Sequence, residues 1–162
     1  MLEADLIVFT APVYALRAPA QVKSLLDHLC CRWMVHRPEE MMNTKRAVIL
    51  TNSVGASNNA AQKDISTSLT WLGVPYIRRL GFGLMEGVIW DEISEKRRTG
   101  IKKKTEKLAR KFIKMKKARK SFTVWLFFQF SKIMHNAVLQ KETIPSADNQ
   151  HWIDKGWIRK RK

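Results

Sequence analysis

Two short apolar runs, "LIVFT" from Leu6 to Thr10 and "RAVILT" from Arg46 to Thr51, each hold four consecutive apolar residues with no polar alternation. Runs of that length and pattern predict strands buried on both faces. Between them, Val22, Leu25, Leu26 and Leu29 recur at helical spacing behind Pro19, a residue suited to a first helical turn, so a helix is predicted from Pro19 to about Arg32. Residues 34–45 are polar, carry Pro38 and predict a connection. A second helix is predicted over Ala60 to Leu72, stopped by Gly73. A third strand follows from Val74 to Gly83, weakened by Pro75 and by Arg78 and Arg79. Strand and helix alternate with short loops, which predicts an α/β fold: a parallel sheet sandwiched by helices.

Beyond residue 90 the pattern changes. From about Asp91 to Lys120 the chain is densely basic, and Ile101, Leu108, Phe112 and Met115 keep a single apolar stripe, so a long basic helix is expected there. The longest apolar cluster, "VWLFFQF" from Val124 to Phe130, is far shorter than the ~20 residues of a membrane-spanning helix. Trp152 and Trp157 are expected to pack the tail onto the body or onto a neighbouring subunit. The division that follows is 1–90 for the α/β body and 91–162 for a basic helical extension with a Trp-bearing tail.

Composition narrows the class. Of 162 residues, 45% are hydrophobic, enough for one domain with a real core. The formal charge of +16 attracts anions such as nucleic acid, acidic lipid or phosphorylated cofactors. The lysine-rich run from Lys96 to Lys120 is either a solvated helix face or a seat for an anionic partner. Cys30 and Cys31 are adjacent, so neither a disulfide framework nor zinc spacing exists; they read as small buried hydrophobes at a helix end. This cysteine usage, with an acidic N-terminus lacking a signal-peptide pattern, leads to a cytoplasmic expectation. The four histidines are scattered without metal spacing, and no metal site is expected.

Ligands of open parallel sheets bind at the carboxyl ends of the strands. Two loops leave such ends here, "TAPVYALRAP" and "TNSVGASNN". The first offers Thr10, Ala11, Pro12, Val13 and Tyr14; the second offers Thr51, Asn52, Ser53 and the open backbone around Gly55. Apolar and aromatic surfaces beside backbone N–H groups suit a flat heteroaromatic ring, and flavin is such a ring. The plainer readings are a half-buried loop tyrosine at position 14 and ordinary turn chemistry at Thr51, Asn52 and Ser53.

The segment "ADLIVFTAPVYALRAPAQVKSLLDHL" resembles the third-strand region of the flavodoxin-like NAD(P)H-dependent FMN reductases. In that family a Ser/Thr-x-Pro-x-Tyr turn precedes an Ala-x-x-Lys-x-x-x-Asp helix, matched here by Thr10, Pro12, Tyr14, Ala20, Lys23 and Asp27. "KRAVILTNSVGASNNAAQKDISTSLTWLGVPYI" is similar to the family's fourth strand, glycine loop and next helix. The ending "DNQHWIDKGW" resembles a clostridial-type branch also described as multimeric flavodoxins.

The resemblance implies a flavoprotein oxidoreductase with FMN as cofactor and NAD(P)H as co-substrate. Hydride would pass from the nicotinamide to flavin N5, and electrons on to a small acceptor such as a quinone. No residue need act as a catalytic acid or base, because the cofactor carries the redox chemistry. It also implies homo-oligomers among intact members, and a flavin held by Thr10 to Tyr14 and by Thr51, Asn52, Ser53 and Gly55. Family members begin with a phosphate-binding strand and loop and a second strand, which have no counterpart here. The expectation is therefore an N-terminally truncated chain of about three strands, impaired in activity, whose strand near Leu6 is an exposed apolar edge. A second function class stays open: a basic amphipathic module on an anionic membrane surface or on nucleic acid, with no specific nucleic-acid recognition expected.

Overall fold

The computed structural model describes residues 1–55, 57–85, 89–115, 118 and 121–160. Three strands, β1 (Leu6–Pro12), β2 (Arg46–Ser53) and β3 (Tyr76–Gly83), form one parallel sheet in the order β1-β2-β3. Register runs from Leu6 opposite Arg46 to Pro12 opposite Asn52, and from Arg46 opposite Tyr76 to Ser53 opposite Gly83. This is the expected open α/β arrangement, consistent with part of a flavodoxin-like fold. The helices are α1 (Ala20–His28), α2 (Asn59–Trp71), α3 (Glu95–Ile113), α4 (Phe122–Leu139) and α5 (Ala147–Asp154).

The two-residue period of the strands sorts the core. Ile7, Ala47 and Ile49 point to the face covered by Leu26 of α1 and Ile65 and Leu69 of α2, and all six are buried. Leu6, Val8, Val48 and Leu50 point the other way, towards Leu108 and Phe112 of α3, across an apolar groove of about 360 Å³. At the outer strand the groove stays open: Val8 is 52% exposed, so β1 is the expected apolar edge. Arg46 donates to the carbonyls of Phe112 and Met115, placing a cation at the carboxyl end of α3 where the helix dipole favours one.

Several boundaries differ from the sequence reading. The first helix is α-helical only to His28 and tightens into a 3-10 turn over Leu29–Arg32. Cys31 there is exposed and Cys30 half-buried, so neither is the fully buried hydrophobe expected of it. α3 ends at Ile113, short of the long basic helix expected, and residues 116, 117, 119 and 120 of that stretch lie outside the described residues. The apolar cluster forms α4, started by Ser121, whose hydroxyl accepts from the Val124 N–H.

The extension packs on the body. Phe127 stacks on Trp71 with centroids 4.2 Å apart, and Trp71 stacks in turn on Trp33. Trp152 is fully buried against Phe128 and His135, and its Nε1 donates to the His36 carbonyl at 2.7 Å. Among the described residues, no helix is long and apolar enough to cross a membrane.

Candidate functional site

β1 and β2 end side by side, and the contact continues past their last pair: the Val13 N–H donates to the Asn52 carbonyl at 2.8 Å. The chain then reverses at once. Tyr14 and Arg17 exchange backbone hydrogen bonds, Tyr14 N–H to Arg17 O at 3.2 Å and Arg17 N–H to Tyr14 O at 2.9 Å. The two residues between them, Ala15 and Leu16, have φ of 47° and 65°. Left-handed backbone costs an L-residue about 1–2 kcal/mol, so this turn is strained and needs outside support. Arg17 supplies it through Asp64 of α2, with Nε 3.0 Å from Oδ2 and Nη2 2.5 Å from Oδ1. The guanidinium is thus committed to a carboxylate. Tyr14 is left 65% exposed at the carboxyl edge of the sheet.

The second loop is anchored from inside. Thr51 and Ser53 continue the face of β2 that α2 covers, and both are 2% exposed. The Thr51 hydroxyl accepts from Gln62 Nε2 at 2.9 Å, and the Ser53 hydroxyl accepts from Asn58 Nδ2 at 3.0 Å. Neither hydroxyl faces the open edge. The phase of Ala47 and Ile49 carries this signal in the sequence, since residues two apart share a face. Gly81 on β3 makes room for both partners: a Cβ there would lie 2.7 Å from Asn58 Cβ and 2.9 Å from Gln62 Nε2. Leu84 N–H donates to Ser53 O at 2.6 Å, tying the end of β3 to the same loop.

What the second loop shows to the outside is backbone and Val54. Val54 is 64% exposed, and Gly55 turns the chain with φ of 68°. Among the described residues, the N–H groups of Val54 and Gly55 and the side chain of Asn52 have no hydrogen-bond partner. Asp64, Gln62 and Gly81 lie in other elements and act only through the tertiary fold, whereas Asn58 belongs to the TNSVGASNN loop itself, just before α2. Between them the two loops expose an aromatic ring, an aliphatic side chain and two open amide donors at the adjoining ends of β1 and β2. Among the described residues no cluster of His, Cys, Asp and Glu can hold a metal.

The model of the NADPH-dependent FMN reductase family matches residues 1–87, which contain the whole sheet and both loops. The chain belongs to this family. FMN-dependent NADH:quinone oxidoreductases of Yersinia pestis (strain Pestoides F) and Yersinia pseudotuberculosis (serotype O:1b, strain IP 31758) are each 37% identical to it over 84 residues. That match covers 48% of this chain and 38% of each relative, so the chain spans well under half the length of the curated relatives it matches.

An isoalloxazine ring needs N–H donors for its carbonyl and nitrogen rim and an apolar or aromatic surface for its faces. The open amides of Val54 and Gly55 meet the first need, and Tyr14 and Val54 meet the second. A phosphate needs cations or several free hydroxyls and amides. Arg17 is already paired, and the Thr51 and Ser53 hydroxyls are turned inward. The exposed groups of the two loops therefore suit the ring rather than the phosphate.

Proposed function

We propose that this chain holds the ring of FMN in an NAD(P)H-dependent oxidoreductase, with a small electron acceptor such as a quinone. The observation that carries the proposal is the juxtaposition of the exposed Tyr14 with the open Val54 and Gly55 amides, joined through the Val13 to Asn52 hydrogen bond. Family membership and the printed activity of the Yersinia relatives support it. When bound, the flavin supplies hydride acceptance and electron delivery. The protein's share is position and polarity. Pro12, Val13 and Tyr14 form one wall, Asn52, Val54 and Gly55 the other, and Thr10, Ala11, Thr51 and Ser53 hold the two walls in register from behind. The Val54 and Gly55 amide donors would stabilise negative charge on the polar rim of a bound ring.

Titration of FMN and of riboflavin, followed by quenching of flavin fluorescence, tests the assignment. Both flavins are expected to bind this chain with affinities within about tenfold of each other, because the two loops contact the ring. Tyr14→Ala is expected to weaken both by roughly 1–3 kcal/mol, the usual worth of a stacked aromatic. Unchanged binding in Tyr14→Ala, with the fold intact by circular dichroism, overturns the reading.

A further inference from the structure

We propose that the exposed face of α4, which follows a polybasic stretch of the sequence, seats this protein on the surface of an anionic lipid bilayer. One side of α4 is internal: Val124, Ser131, His135 and Leu139 are buried, and Phe127 and Phe128 stack on Trp71 and Trp152. The other side carries Phe122, Trp125, Leu126, Phe130 and Ile133, which are 73%, 53%, 47%, 58% and 70% exposed. Their spacing brings them onto one stripe of the helix. Five large apolar side chains on one exposed stripe form a patch of the kind that marks an interaction surface.

Charge identifies the occupant. From Arg110 to Lys120 the sequence carries seven Lys or Arg and no acid, and α4 itself contains neither Asp nor Glu. Lys114, which precedes α4, is exposed, and α4 itself carries Lys132. Polybasic sequence joined to an aromatic and aliphatic helix face is the chemistry that binds acidic headgroups and the acyl boundary together. A second copy of the chain would bring another +16 against the same surface. Nucleic acid would match the cations but gains little from Leu126 and Ile133, which offer bases neither hydrogen bonds nor an aromatic platform. The helix lies on the bilayer, being too short in apolar length to cross it.

Co-sedimentation of the full chain with phosphatidylcholine vesicles, with and without phosphatidylserine, tests this. Binding to phosphatidylserine vesicles is expected to be at least about tenfold tighter and to fall in high salt. The triple variant Phe122→Ser, Trp125→Ser, Ile133→Ser should lose about tenfold or more while keeping its circular dichroism spectrum. Should that variant misfold, wild-type chain with brominated acyl chains gives an independent readout: tryptophan emission is quenched, and Trp125→Phe removes most of the quenching. No preference for phosphatidylserine, or no dependence on Trp125, overturns the proposal. So does a dimer in sedimentation that the triple variant dissociates, or tighter binding to a single-stranded oligonucleotide than to the vesicles.

Discussion

Arg17 and Asp64 stand 47 residues apart in sequence and meet through two hydrogen bonds, one from Nε and one from Nη2. The pair fastens the strained Tyr14–Arg17 turn to α2, and Asp64 also accepts from the Ala18 N–H at 3.4 Å. Because the Arg17 side chain is 66% exposed, solvent screens the attraction. Asp64→Asn is expected to cost less than about 1 kcal/mol in urea unfolding, and less still in high salt. Flavin affinity should fall more visibly, by a few fold, because Tyr14 loses its fixed orientation. A large stability loss with unchanged flavin binding would reverse the roles given to this pair.

Gly81 is expected to be the least replaceable position on β3. A methyl group at residue 81 meets Asn58 Cβ at 2.7 Å and Cγ at 2.8 Å, so the start of α2 or the strand must move. Gly81→Ala should destabilise the chain by about 1–3 kcal/mol, seen as a lowered Tm. The Thr51 to Gln62 and Ser53 to Asn58 bonds depend on the same close approach, so flavin binding should weaken in parallel. Gly83→Ala is the control, since a Cβ there meets nothing within 4 Å.

Glu142 couples the tail to pH. The hydrogen bond from Asn149 Nδ2 at 2.6 Å holds its carboxyl below the ordinary value near 4.5. The Ser146 N–H and the charge of His135 act the same way, against the opposing pull of burial. A carboxyl lowered by folding adds stability that is complete above its unfolded value and lost as pH falls through the folded one. The wild-type chain should therefore be more stable than Glu142→Gln at neutral pH, and the difference should vanish in acid. Thermal melts of both proteins between neutral pH and about pH 3 check this, and parallel curves would refute it.

The sheet was legible because Leu6 to Thr10 and Arg46 to Thr51 are nearly pure apolar runs, but the expected burial on both faces fails for β1, whose Leu6 and Val8 stay exposed at the edge. The turn at Pro12, Val13 and Tyr14 was legible from the family resemblance. The inward aim of Thr51 and Ser53 was available from the phase of Ala47 and Ile49, but turn-forming residue types masked it. The Arg17 to Asp64 pair carries no local signal, since only the packing of α2 on the sheet brings the partners together. The end of α3 was obscured because lysines continue unbroken beyond Ile113 with no Gly or Pro to mark a stop. Ser121, an N-cap before an apolar run, was the readable sign that a new helix begins.

The bond from Trp152 to the His36 carbonyl spans 116 residues. At ribosomal speeds of about 5–20 residues per second, Trp152 is synthesised on the order of ten seconds after its partner. The sheet with α1 and α2 can assemble in that interval, while Trp33 and Trp71 still lack the cover that α4 and α5 bring. During translation the whole sheet, α1 and α2 are therefore made before the latch that covers Trp33 and Trp71. That interval is when a holding chaperone has an aromatic surface to grip, and slower translation of residues 72–152 would prolong it.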